Sequence, residues 1–246
     1  MAPILKSEIR KLLTIRSTYV ITGLAVLFAA GVNFYLAAFK TTDPIAGDTL
    51  QKGVVMGTLN GVSIFVAIVA LLLVTHEYRY NTIYYSLTSA RSRTQVLLAK
   101  IAVFTLYALK FTVLISLVSV AAMLIGLKVG GHHLPAQEID WWGMIWRSLY
   151  YVWGLAAFAA MIGFLVRNQV GAIVAYFIGI NTVESLLTLV LKEKAAYLPF
   201  TALGNVLSSY NPVTKTPAGE AALIAAAWLV VGWLVAWLLF VRRDAN

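Results

Sequence analysis

An all-α integral membrane protein of six transmembrane helices is the fold class this sequence predicts, and three observations carry it. The chain is 61% hydrophobic with a mean hydropathy of +0.83, against about 45–50% apolar residues in ordinary soluble domains. Charged residues make up 12% and fall between long apolar blocks rather than along them. At about 20 residues per span, the 246 residues hold six spans, short loops and no soluble domain of useful size. Residues 1–246 therefore read as one membrane domain.

The elements follow in order. From Ile4 to Arg16, Leu5, Ile9, Leu12 and Leu13 share a face opposite Lys6, Ser7, Arg10 and Lys11. That pattern predicts an N-terminal interfacial helix, apolar side in the headgroups and cations toward phosphate. The spans are expected at Tyr19–Phe39, Val54–Thr75, Ile101–Leu127, Met144–Val166, Gly171–Leu191 and Ala221–Val241. Gly53, Gly57 and Gly61 recur every four residues, a small-residue ridge that lets another helix approach closely. Trp141, Trp142 and Trp146 gather at the outer mouth of the fourth span, as an aromatic belt does. Between the last two spans, Ala195–Phe200 and Leu203–Leu207 are too apolar for a solvated loop and too short to cross. Such a segment is re-entrant or interfacial.

Charge sets the orientation. Lys6, Arg10, Lys11, Arg16, Arg79, Arg91, Arg93, Lys100, Arg167, Arg242 and Arg243 collect on one side. The cations of the other side are diluted by Asp43, Asp48, Glu138, Asp140, Glu193 and Glu220. The undiluted side is cytoplasmic by the positive-inside rule, so both termini lie inside. The net charge of +9 is explained the same way and implies no nucleic-acid partner. With no cysteine there is no disulfide framework or thiolate nucleophile. No Gly-x-x-x-x-Gly-Lys-Ser/Thr loop, His-Glu-x-x-His pair or Gly-x-Ser-x-Gly elbow occurs, so the chain is not expected to be an enzyme, to bind a cofactor or to hold a metal.

One segment projects into water. After the second span the chain reads Glu77-Tyr78-Arg79-Tyr80-Asn81-Thr82-Ile83-Tyr84-Tyr85-Ser86-Leu87. Tyr80, Ile83, Tyr84 and Leu87 fall at i, i+3, i+4 and i+7, placing four apolar groups on one helical face. An amphipathic helix between two spans, in a protein with no energy-converting motif, is expected to be a handle for a soluble partner.

Two ionisable residues fall inside spans. Lys110 is about 14 Å along the third span and Glu184 about 20 Å along the fifth at 1.5 Å per residue. Charges at such depth tend to face a partner or water. Three arrangements stay open: the two residues pair, they line a polar pathway with Asn181, Thr182 and Ser185, or they snorkel to opposite surfaces.

Taken together, these residues resemble the six-span ABC type 2 export permeases. The resemblance rests on the opening Leu5-Lys6-Ser7-Glu8-Ile9-Arg10-Lys11-Leu12, on Glu77 to Ile83, and on Arg91-Ser92-Arg93 leading to Ala99-Lys100. Tyr197-Leu198-Pro199 and the ending Arg242-Arg243-Asp244 complete it. The motifs span the whole chain, each one loose, and Asn81 stands where such sequences often place glycine. The resemblance implies that the helix between spans two and three is a coupling helix seated in a separate ATP-binding subunit. Tyr80, Ile83, Tyr84 and Leu87 are then the seated face, with Glu77, Arg79, Arg91 and Arg93 around it. Arg167-Asn168-Gln169 becomes a second contact, and Glu77 pairs with a cation of the N-terminal helix, such as Arg10 or Arg16. A second permease copy or paralogue completes the pathway, in a bacterial plasma membrane, with ATP and Mg on the partner subunit. Two rival functions remain: an immunity or sensing subunit for membrane-active peptides, and a self-contained channel or secondary transporter. The last needs interrupted helices near the midplane, and no span is interrupted by proline.

Overall fold

A computed structural model describes residues 2–40, 57–88, 92–132, 141–208 and 216–242. Among them every regular element is helical. Helix α1 covers Ala2–Thr14, and α2 covers Arg16–Tyr35 and continues into a π-turn at Leu36–Lys40. Next come α3 (Gly57–Arg79), the short α4 (Ile83–Thr88), α5 (Arg93–Gly130) and α6 (Trp141–Val166). The chain then forms α7 (Gln169–Ile178), a π-turn at Gly179–Val183, α8 (Glu184–Leu191), a 3₁₀ turn at Lys192–Tyr197, α9 (Pro199–Leu207) and α10 (Ala218–Arg242). Five of these helices are long and apolar enough to cross a membrane.

The predicted spans lengthen at their charged ends, because helical hydrogen bonding continues past the apolar run. The third is the extreme case. Expected from Ile101, α5 begins at Arg93, where the Ser92 hydroxyl caps the Gln95 amide, and ends at Gly131 in a left-handed turn with φ 73°. Its 38 residues extend about 57 Å, nearly twice the roughly 30 Å of a hydrocarbon core.

The predicted span Gly171–Leu191 is not one regular helix. The π-turn at Gly179–Val183 separates α7 from α8. An extra residue per turn rotates everything after it, and such interruptions gather at functional positions. The apolar segment that follows does not rest on the outside of the bundle. Ala202, Leu203, Val206 and Leu207 of α9 are buried, and a Cβ on Gly154, midway along α6, would lie 2.5 Å from Leu203 Cδ2.

Helices α3 and α6 form the centre. Within their apolar stretches 61% and 67% of residues are buried, against 22% in α2 and α10. Ala156, Ala157, Phe158, Ala159 and Ala160 are buried all round α6, and a Cβ added to Gly163 would lie 3.2 Å from Val74 Cβ of α3. Trp233 of α10 stacks on Phe104 of α5 at 5.8 Å between ring centroids. At the other end of α6, Trp142 is 77% exposed, as a belt residue is.

Of the expected glycine ridge, Gly53 lies outside the described residues, and Gly61 makes an ordinary contact with Phe28 of α2. Among the described glycines, the close approach to another helix's backbone falls on a different pair. A Cβ on Gly126 or Gly130 of α5 would lie 2.7 Å from the carbonyl oxygen of Phe34 or Ala38, respectively. The spacing is the same on both strands of the seam, so backbone meets backbone over a full turn. Gly126→Ala has no side-chain rotamer to move aside and is expected to cost about 1–3 kcal/mol, read as a lower midpoint in detergent thermal unfolding. Gly61→Ala should be nearly silent in the same assay.

Candidate functional site

The charged end of the bundle is built by helix ends meeting. α3 closes with a Schellman motif: Thr82 N donates to Glu77 O at 2.9 Å and Asn81 N to Tyr78 O at 3.4 Å. Asn81 occupies the left-handed position with φ 53°, where asparagine is the usual substitute for glycine. Helix α6 ends on Arg167, also left-handed at φ 55°, with its amide donating to Gly163 O at 3.0 Å. Asn168 then caps α7 by accepting from Gly171 N at 2.8 Å. Two sharp turns thus lie side by side, and Arg79 Nη1 joins them by donating to Gln169 Oε1 at 3.2 Å.

Below these turns four charges form a closed ring. Lys100 Nζ lies 2.8 Å from Glu8 Oε2 and 3.0 Å from Glu77 Oε1, while Lys11 Nζ reaches Glu8 Oε1 and Glu77 Oε1 at 2.5 Å each. Lys100 also donates to the Leu73 carbonyl at 3.1 Å. Glu8, Glu77 and Lys100 are 1%, 5% and 0% exposed. Signs alternate round the ring, so each ion has an opposite neighbour on both sides and the sum is zero. Desolvation makes an unpaired buried ion costly, which is why the ring closes.

The ring bears on two expectations. Glu77 does pair with a cation of the N-terminal helix, and that cation is Lys11, one turn from Glu8, rather than Arg10 or Arg16. Most of the apolar stripe of α1 faces the protein, while Leu13 stays half exposed. Leu5, Ile9 and Leu12 pack against the protein core, because burying Glu8 turns that face inward.

The predicted handle is rearranged. Tyr80 to Thr82 form the turn rather than helix, and only Ile83–Thr88 is helical. Ile83 is 2% exposed in the protein's own core, so it cannot share an outer face with Tyr84. What faces outward is aromatic: Tyr80, Tyr84 and Tyr85 are 60%, 43% and 76% exposed, and the Arg79 guanidinium lies 5.4 Å from the Tyr80 ring centre. The Leu87 side chain and all of Arg91 lie outside the described residues. Arg93 and Arg167 turn inward. Arg93 Nη1 donates to Phe240 O and Val241 O at 3.3 and 3.4 Å, and Arg167 Nη2 to Leu239 O at 3.0 Å. They satisfy the last carbonyls of α10, where cations also complement the helix dipole.

Lys110 and Glu184 do not meet. Glu184 caps α9: its carboxylate accepts from Phe200 N at 2.8 Å, Thr201 N at 2.7 Å and Thr201 Oγ1 at 2.8 Å. Free amides at a helix N-terminus are strong donors to an anion, and Pro199 at the first position sets the helix direction. Lys110 instead lines a groove among α1, α2 and α5. Asn181 sits in the π-turn, its side chain outside the described residues.

Glu8, Lys11 and Lys100 were missed as site residues. A signal existed: Glu8 is the single acid before Asp43, set three residues before Lys11 on an otherwise basic helix. Among the described residues no group of three or more His, Asp or Glu side chains forms a metal cage, and the two ring carboxylates are already neutralised by lysines.

A bundle of long apolar helices, closed at one end by buried ion pairs and capped carbonyls, is the architecture of a multi-pass membrane protein. Within that class the chain belongs to the family described as Protein of unknown function (DUF2705), whose profile matches residues 24–245. Glu77 and Lys100 fall inside the matched stretch; Glu8 and Lys11 precede it. No curated protein matches the chain.

Lys100→Met should remove about 3–5 kcal/mol of stability by leaving two buried carboxylates to one lysine, measured by thermal unfolding in detergent. The double substitution Lys100→Met with Glu8→Gln should recover part of it. pH gives a second check. Burial alone would push the Lys11 pKa down, but Glu77 and Glu8 outweigh it and hold the ammonium above its usual 10.5. A raised lysine pKa stabilises fully below its unfolded value, and the gain disappears as pH climbs through the folded one. The Lys11 contribution should therefore be level through neutral pH and fall away only above pH 10.5.

Proposed function

We propose that this chain is the membrane-spanning permease subunit of an ATP-driven export system in a bacterial plasma membrane. In this reading residues 169–191 make the sixth crossing despite the π-turn, both termini are cytoplasmic, α9 is re-entrant, and two copies or paralogues enclose the pathway. The chain hydrolyses nothing itself; ATP and Mg belong to a separate subunit. The observation that carries the reading is the exposed trio Tyr80, Tyr84 and Tyr85 beside Arg79, carried by the Schellman turn and the short helix α4 that follow ring residue Glu77.

Aromatic and arginine side chains dominate protein–protein hot spots, and here they stand on a mount that cannot yield without disturbing α1, α3 and α5. A motor subunit that gripped the trio would thus pull on three helices at once. Nucleotide binding then shifts the membrane helices only through contacts that differ between the two states, and the trio supplies such contacts.

A self-contained channel or secondary transporter is the second reading. It draws on the π-turn at Gly179–Val183 and the short helix α9 capped by Glu184, which together resemble the interrupted helices such transporters use. Purification from native membranes separates the two. The permease reading expects a nucleotide-hydrolysing subunit to co-elute, and Tyr84→Asp or Tyr85→Asp to weaken its retention at least tenfold, about 1.4 kcal/mol, with membrane insertion unchanged. Retention of that subunit at full strength by both variants, or transport by the purified chain alone, would sink it.

A further inference from the structure

The groove that contains Lys110 is used by nothing described so far. It has a volume of about 250 Å³ and runs between Leu12 and Leu13 of α1, Tyr19 and Thr22 of α2, and Leu106 and Leu114 of α5. Its walls are almost wholly apolar. Leu13, Tyr19 and Leu106 are 51%, 59% and 54% exposed, so it opens sideways, away from the bundle. Polar groups inside are mostly satisfied within the protein: Thr22 Oγ1 and Tyr107 Oη share a hydrogen bond of 2.7 Å, and Tyr19 Oη donates to Leu13 O at 2.8 Å.

Lys110 is the exception. It is exposed in the groove, about 15 Å further along α5 than ring residue Lys100, which places it well inside the hydrocarbon. A side chain on a helix slants toward the helix N-terminus, and the N-terminus of α5 is the end that carries Arg93. The Lys110 ammonium therefore climbs the groove toward α1. At that mouth wait more cations. Lys6 and Arg10 are exposed and lie three residues behind Ile9 and Leu13 on the groove side of α1, and Arg16 opens α2. Among the described residues no acid lines the groove, and Glu8 is turned away into the ring.

An apolar groove with cations at one end and no acid among its described lining residues is complementary to one kind of molecule already present in every bilayer. We propose that the groove is a binding site for an anionic phospholipid of the cytoplasmic leaflet. One acyl chain lies along Leu12, Tyr19, Leu106 and Leu114, and the phosphate sits among Lys110, Lys6, Arg10 and Arg16. Basic pockets between membrane helices on the cytoplasmic side select anionic headgroups in this way. The lipid completes the wall between α1 and α2, so it also presses α1 onto the ring. This site does not depend on the permease reading.

Native mass spectrometry of the full chain after incubation with phosphatidylglycerol or phosphatidylcholine vesicles tests it. The expected result is retention of phosphatidylglycerol over phosphatidylcholine, with the preference falling about fivefold in Lys110→Gln, the share of one interfacial cation. Leu106→Trp, which fills the groove and keeps every charge, should reduce retention of both lipids. Equal retention of the two headgroups by the native chain overturns the proposal, as does an unchanged preference in Lys110→Gln. Displacement of phosphatidylglycerol by oleate at equal concentration overturns it in favour of a fatty-acid site.

Discussion

The alternating ring of Glu8, Lys11, Glu77 and Lys100 is what the charged end of the bundle depends on. An isolated ion at Glu8, Glu77 or Lys100 would be held out of water with little to compensate it, so these three are admissible only together, with the half-buried Lys11 closing the set. That makes the ring directional as well as cohesive. An apolar contact between α1 and α5 could slide by a turn at modest cost, whereas a ring of fixed charges tolerates one register. Glu77 belongs both to the ring and to the Schellman turn, where its carbonyl accepts from Thr82. Through that residue the register of α1 and α5 is handed to the turn that displays Tyr80.

Glu184 follows the same logic by other means. A carboxylate inside an apolar bundle needs donors, and the nearest are the unpaired amides at the start of α9. The interaction works for both sides: the anion is neutralised and the helix gains a cap. It also requires the rotation that the π-turn supplies, so the irregular backbone at Gly179–Val183 and the inward position of α9 are two aspects of a single contact. Phe200 then settles against Phe158 and Tyr176, with ring centroids 5.1 and 5.7 Å away.

Long apolar runs are legible one residue at a time, which is why α2, α3, α6 and α10 could be placed from composition to within a few residues, while the charged start of α5 and the break after α7 could not. The features that fix their mutual arrangement are not local. The close seam at Gly126 and Gly130 depends on which backbone lies opposite, and a four-residue glycine spacing occurs at Gly53, Gly57 and Gly61 as well. Helical periodicity put Ile83 beside Tyr84 because it assumed one unbroken helix; the left-handed Asn81 resets the phase, and Ile83 turns inward. Arg93 and Arg167 look like rim residues in a sequence, where nothing signals that the carbonyls of α10 end beside them. Lys110 and Glu184 stand out in the sequence as charges within apolar runs, but the α9 donors that satisfy Glu184 and the groove that receives Lys110 cannot be seen there. Glu77 was tied to the right helix for the right electrostatic reason, and the specific lysine followed only from the facing of α1.

α5 runs from Arg93 to Gly130 without a proline, and nothing along it offers a hinge. It carries Lys100 near one end, the groove wall in its middle and the glycine seam at the other. A body of that length behaves as a lever: a tilt of about ten degrees, pivoted on the ring, sweeps the far tip through roughly 8 Å, because about 45 Å of helix rise separates Lys100 from Gly130. Small rearrangements among four charges at one end of the helix are thereby magnified into displacement of its other end.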